Sequence, residues 1–143
     1  MKISVDYVGN YEPSHGSSEA AAYDLRAVTD DNEIWIMPGE SVTIKSGIAA
    51  QPPEGFAGIL MIRSGISKKG LRLSTGVSLI DRDYTGDISC CLFNDSMEPQ
   101  KISKGDRIAQ IAYIPVASVD WIEVDELSPT ERGSGGFGST GVR

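Results

Sequence analysis

Phe56-Ala57-Gly58-Ile59-Leu60-Met61-Ile62 is an almost continuous apolar run, entered from Pro52-Pro53-Glu54-Gly55 and left through Arg63-Ser64-Gly65. Such a run between turn-forming residues reads as a strand buried on both faces. Outward from it, the apolar period is two. Ile3, Val5 and Tyr7 alternate with polar neighbours, as do Ile34 and Ile36, then Val42 and Ile44, then Ile88, Cys90 and Leu92. Turn punctuation separates these runs at Pro38-Gly39, at Tyr84-Thr85-Gly86 and at Lys104-Gly105-Asp106. Many short strands at this spacing predict an all-β sandwich or barrel. One short helix is expected near Ser64 to Lys69, weakened by Gly65 inside it.

The 143 residues suit one compact domain, and 40% hydrophobic against 23% charged residues allow it a core. Thirteen Lys and Arg against 20 Asp and Glu give a formal charge of −7. That balance argues against a nucleic-acid partner, which asks for a basic face, yet leaves room for a small anionic ligand held by placed arginines. No apolar stretch reaches the ~18 residues of a membrane span, and MKISVDYVGN lacks a signal-peptide core, so no membrane partner and a soluble, cytoplasmic location are expected. For a phage- or virus-encoded chain, that means the host cytoplasm.

Cys90 and Cys91 are adjacent, so a strand would send them to opposite faces, and a disulfide between them is not expected. His15 is the one histidine. A zinc site has almost no ligands to draw on. The available chemistry is that of carboxylates, hydroxyls, Arg and Lys, with an oxygen-loving metal as the remaining option.

The composition shifts once, in the terminal Glu131-Arg132-Gly133-Ser134-Gly135-Gly136-Phe137-Gly138-Ser139-Thr140-Gly141-Val142-Arg143. Five glycines prevent this tail from packing a core, and composition alone suggests a flexible terminus. Phe137 and Arg132 stand out against that. Gly-rich backbone offers successive N–H groups to phosphate oxygens, Ser139 and Thr140 add hydroxyls, and Arg132 adds a bidentate cation. Gly133, Gly135 and Gly138 also fit G-x-G-x-x-G, but no βαβ unit surrounds them, so the match carries no dinucleotide meaning.

Elsewhere, Arg63-Ser64-Gly65 at a strand end makes a phosphate clamp or a plain surface turn. Asp81, Asp83 and Tyr84 share one acid-rich turn. Asp24 stands among apolar neighbours, so it is either hydrogen-bonded structurally or a ligand to metal-bound water. Gln110 closes Gly105-Asp106-Arg107-Ile108-Ala109-Gln110, in which Arg107 reads as a structural partner for an acid.

Five segments, AAYDL at 21–25, RSG at 63–65, GVSLIDRDYTGD at 76–87, GDRIAQ at 105–110 and RGSGGFGSTG at 132–141, resemble in order and spacing the five motifs of the trimeric dUTP diphosphatase (dUTPase) family. The resemblance implies a jelly-roll-like β-sandwich over 1–126 and a flexible Gly-rich arm over 127–143. It implies a homotrimer whose arms close active sites shared between subunits. The implied reaction is Mg²⁺-assisted attack of water on the α-phosphorus of dUTP, giving dUMP and pyrophosphate. That reaction keeps uracil out of DNA and supplies dUMP for thymidylate synthesis.

Position by position, the resemblance makes Asp81 the base that orients the water, and Tyr84 the residue under the deoxyribose that rejects a 2′-hydroxyl. Ser78, Leu79 and Ile80 form the hairpin that reads uracil, and Arg63, Ser64 and Gly65 with Gln110 form the phosphate region. Asp24 reaches Mg²⁺ through water. On the arm, Arg132 meets the γ-phosphate, Phe137 stacks on uracil, and Gly138, Ser139 and Thr140 form the phosphate loop. Three positions depart from the family pattern: Ala22 and Ser78 stand where Gly is frequent, and Thr75 lies near a position where some members carry a base-contacting Asn. The dCTP deaminases share the fold and the Arg-Ser clamp but lack the GFGSTG arm. A non-catalytic binding protein on the same fold is the alternative from a different class.

Overall fold

The computed structural model describes residues 1–138 and 141, and their regular structure is almost wholly β. In chain order the strands are β1 (Asp6–Gly9), β2 (Ser14–His15), β3 (Tyr23–Arg26), β4 (Glu33–Ile36), β5 (Ser41–Ile44), β6 (Ile48–Gln51), β7 (Phe56–Ile62), β8 (Leu71–Leu73), β9 (Ser78–Ile80), β10 (Cys90–Asn94), β11 (Gln100–Ser103) and β12 (Arg107–Pro115). A single helical turn, α1 (Ser64–Ser67), lies between β7 and β8. It is shorter than the sequence suggests because Gly70, at φ +77°, turns the chain away.

The strands pair antiparallel in four sheets, ordered β1-β6, β5-β10-β8, β11-β4 and β2-β3-β12-β7-β9. One core joins them: Leu25, Leu60 and Ile111 of the five-stranded sheet meet Ile36, Ile44, Leu73, Leu92 and Ile102 of the smaller ones, all at most 2% exposed. Fully burying side chains of this size contributes ~1.5–3 kcal/mol each.

The alternation in the sequence translates with two differences. Ile3 and Val5 precede β1, because the β1–β6 register places Val5 opposite Pro52, which has no N–H for the ladder. Ile88 precedes β10 but is buried with Cys90 and Leu92, and its N–H donates to the Ile48 carbonyl at 2.8 Å. Cys90 and Cys91 are free thiols; burial, with Asp87 nearby, pushes the Cys90 thiol up to about 12.

In the five-stranded sheet, β7 is apolar on both faces. The inner face of the sheet carries Leu60, Ile111 and Ala109. Directly paired residues share a face, so Leu79, Ile59 and Ala112 form one row on the outer side, flanked by Met61 and Ile114. Ile59, Met61, Ala112 and Ile114 are half-buried and Leu79 is exposed. After Pro115 the described residues contain turns but no strand, and Val119, Trp121, Ile122, Val124 and Leu127 are exposed. Among the described residues, no helix is long and apolar enough to cross a membrane.

Candidate active site

Asp24 on β3 pairs with Gln110 on β12, and Gln110 pairs with Met61 on β7. The three therefore stand side by side on the outer face, and Arg63, two residues beyond Met61, leaves β7 on that same side. The cluster closes by ion pairing: Arg63 Nε lies 2.7 Å from Asp24 Oδ1, and Arg107 Nη1 lies 3.2 Å from Asp24 Oδ2. Asp24 is only 5% exposed, and the two arginines supply the partners that a buried carboxylate needs. Gln110 Nε2 donates to the Ile62 carbonyl at 3.2 Å, tying the end of β7 to the same cluster. Two guanidiniums on one carboxylate leave a net positive group within an acidic chain, and Arg63, bonded through Nε, keeps its terminal amino groups for an incoming anion.

Ser64 and Gly65 follow at the exposed start of α1. A Cβ on Gly65 would meet nothing within 4 Å, so no packing inside the chain demands glycine there.

The acid-rich turn lies at the other end of β7. Ser78 pairs with Leu60 and Ile80 with Gly58. Asp81 is exposed just past Ile80, and its carbonyl accepts from the Tyr84 N–H at 3.2 Å. Tyr84 donates its hydroxyl to the Asp87 carbonyl at 2.9 Å, and its ring covers Gly86 so closely that a Cβ there would sit 2.6 Å from the phenol oxygen. Asp87 anchors the turn by accepting from the N–H groups of Ser46 at 3.1 Å and Gly47 at 2.7 Å. Where β9 begins, Thr75 Oγ1 and Ser78 Oγ are 2.7 Å apart, so the Ser78 hydroxyl is engaged by a neighbour three residues earlier.

Gly58 on β7 and Arg63, the extended residue just past its end, are five residues apart, about 17 Å at ~3.3 Å per residue. The chain thus brings Asp24, Arg63 and Gln110 together, but holds Asp81 and Tyr84 away from them. The described residues of the arm join neither group. Arg132 Nε donates to the Gly135 carbonyl at 2.8 Å, and Phe137, at φ +46°, is fully exposed. Gly138 is exposed at φ +86°, and Ser139 and Thr140 lie outside the described residues.

The part of Arg107 in this cluster was not legible as a site role. Its place depends on a register shift in β12 between Arg107 and Ala109, and no sequence signal marks that shift. Among the described residues, no three His, Cys, Asp or Glu side chains converge on a metal position. Asp24 has both oxygens engaged by arginines and keeps lone pairs for water, which fits outer-sphere contact with Mg²⁺, an ion that retains several waters.

The dUTPase family model matches residues 11–141. The chain belongs to the dUTPase family. It is 40% identical over 148 aligned residues to the deoxyuridine 5'-triphosphate nucleotidohydrolase of Desulfitobacterium hafniense (strain DSM 10664 / DCB-2), covering 99% of this chain and 97% of that protein. To the enzyme of that name from Hydrogenobaculum sp. (strain Y04AAS1) it is 42% identical over 132 residues, covering 92% and 90%. The fold is similar to that of the Staphylococcus bacteriophage 80alpha dUTPase with dUpNHpp, at a TM-score of 0.88 and 27% identity, covering 97% of this chain and 99% of that one. The protein is accordingly a dUTP diphosphatase, which hydrolyses dUTP to dUMP.

Proposed function

We propose that the enzyme releases dUMP and pyrophosphate by attack of water on the α-phosphorus, at sites assembled between the copies of a homotrimer with a jelly-roll-like sandwich over 1–126. The observation that carries this is the register of β9: Ile80, next to Asp81, pairs with Gly58, about 17 Å along the extended chain from Arg63. General-base catalysis requires hydrogen-bond reach, so Asp81 of one copy must serve the Asp24–Arg63–Gln110 cluster of another. Assembly has its own support in the outer row of Leu79, Ile59, Ala112 and Ile114, and in the exposed Trp121 and Ile122, all apolar surface that a second copy would cover.

Within such a site Arg63, with the backbone and hydroxyl of Ser64 and Gly65, binds phosphate oxygens, and Gln110 sits beside them. Asp81 orients the attacking water and takes up its proton. Tyr84, fixed through Asp87 and Gly86, offers a ring face beneath the deoxyribose and leaves no volume for a 2′-hydroxyl. The backbone of Ser78, Leu79 and Ile80 reads the uracil edge, and its narrowness excludes the thymine methyl. The arm over 127–143 closes the site with Arg132 on the γ-phosphate, Phe137 on the base, and Gly138, Ser139 and Thr140 on the phosphates, excluding bulk water. Mg²⁺, when bound to the triphosphate and to Asp24 through water, supplies charge neutralisation and orientation of the phosphates. In the cytoplasm the reaction keeps uracil out of DNA and feeds thymidylate synthesis.

Product analysis with dUTP, UTP, dTTP and dCTP in the presence of Mg²⁺ tests this. Selective release of dUMP and pyrophosphate from dUTP is expected; ammonia from dCTP, or turnover of UTP at a comparable rate, would overturn it.

A further inference from the structure

The register shift in β12 has a chemical effect. Gln110 faces outward beside Asp24, so in a regular strand Arg107, three positions earlier, would face inward. Instead Ile108 and Ala109 are both 0% exposed and both part of the core. The extra inward residue is a β-bulge, and it returns Arg107 to the outer face, where Nη1 meets Asp24 Oδ2 at 3.2 Å. Two consecutive buried positions in one strand thus set an arginine against a carboxylate on the neighbouring strand.

The two arginines are not equivalent. The Arg63 side chain is 25% exposed and is held to Asp24 through Nε at 2.7 Å; the Arg107 side chain is 45% exposed and touches the other oxygen. A phosphate arriving at the terminal amino groups of Arg63 draws on the same guanidinium charge that pairs with Asp24 through Nε. If Arg63 were the carboxylate's sole partner, binding phosphate would weaken the pairing of a buried charge, which is unfavourable. With Arg107 in place, Asp24 remains paired and oriented throughout.

We propose that Arg107 is a positioning residue, which holds Asp24 so that Arg63 is free to engage the substrate's phosphates. This rests on Arg63 being the phosphate clamp of the proposed site. Arg107 acts through Asp24 and touches neither water nor nucleotide.

The test is a double-mutant cycle on the full-length protein, read by calorimetric binding of the non-hydrolysable analogue dUpNHpp, with thermal melting to confirm folding. Arg107→Leu weakens binding by about 30-fold, whereas in an Asp24→Asn background the same change costs less than about 3-fold, because no carboxylate remains to be held. Arg107→Gln repeats the measurement should the Leu variant not fold, and Arg107→Lys, which restores the charge, recovers binding to within about 5-fold of wild type. Equal losses in both backgrounds would place Arg107 directly on the phosphates, and no loss in either would make it a bystander; both overturn the proposal. A Lys variant as weak as the Leu variant overturns it too. Wild-type protein that binds dUpNHpp but leaves dUTP intact refutes the hydrolytic mechanism while the cycle still judges Arg107. Failure of wild type to bind dUpNHpp refutes both.

Discussion

Alanine in place of Gly58 tests whether the packing of β9 on β7 sets the position of Asp81. A Cβ at Gly58 would lie 3.0 Å from Ile111 Cδ1 and 3.2 Å from Ile80 Cβ. Carbon atoms pack best at ~3.5–4.0 Å, so the neighbours must yield by about 0.5 Å and about 0.3 Å respectively. Ile111 can answer with its flexible end. Ile80 cannot, because its Cβ is fixed to a three-residue strand, so β9 itself must move and carry Asp81 with it. Overpacking of this kind costs ~1–3 kcal/mol, partly offset by the ~0.5–1 kcal/mol that alanine recovers in backbone entropy, for a central net loss of about 1.3 kcal/mol. At ~2–4 °C per kcal/mol, Tm falls by about 3–5 °C. A displacement of a few tenths of an ångström, where ~1 Å costs ~100-fold, lowers kcat/KM for dUTP by about 3- to 10-fold. Pyrophosphate release and a melting curve on the same preparation measure both. A Gly58→Ala enzyme as stable and as active as wild type would refute the tight approach. A destabilised enzyme with full kcat/KM would refute the link from β9 to Asp81.

Gly65→Ala gives the opposite pattern: the open space around Gly65 leaves Tm unchanged or raised, while KM for dUTP rises by about tenfold or more, and an unchanged KM removes Gly65 from the phosphate site. Asp81→Asn retains dUpNHpp binding and loses ~10²–10⁴-fold in kcat; turnover near the wild-type rate removes Asp81 as base. For Cys90 the sign follows from its thiol being raised from 9.0 to about 12: the unfolded chain loses its proton first, so the contribution is whole below about 9 and declines as pH climbs towards 12. Denaturant midpoints across that window fall less steeply for Cys90→Ala; identical slopes would contradict the burial account.

Much of this was legible in the sequence because β periodicity and turn chemistry are local. The run Phe56–Ile62 forms the central strand beside the site, and its lack of a polar face corresponds to a strand flanked by apolar neighbours on both sides. Three of the motif segments were legible as a set, since AAYDL, RSG and GDRIAQ supply the residues that meet on the outer face. What was not legible depends on register. The start of β1 at Asp6 follows from a partner strand that runs into Pro52, and the outward turn of Arg107 follows from a bulge. Neither leaves a mark in the period of the strand concerned. Asp87 was likewise one acid among several until its contacts with Ser46 and Gly47 distinguished it as the anchor of the turn.

The central claim is that Asp81 of one copy completes the Arg63 cluster of another. Arg63→Met and Asp81→Asn variants, each inactive alone, are unfolded together at equal concentration, refolded and assayed for dUTP hydrolysis. If the two residues come from different copies, random mixing in a homotrimer leaves about a quarter of the sites intact, and the mixture regains about a quarter of wild-type activity. A mixture as inactive as its parents would contradict it.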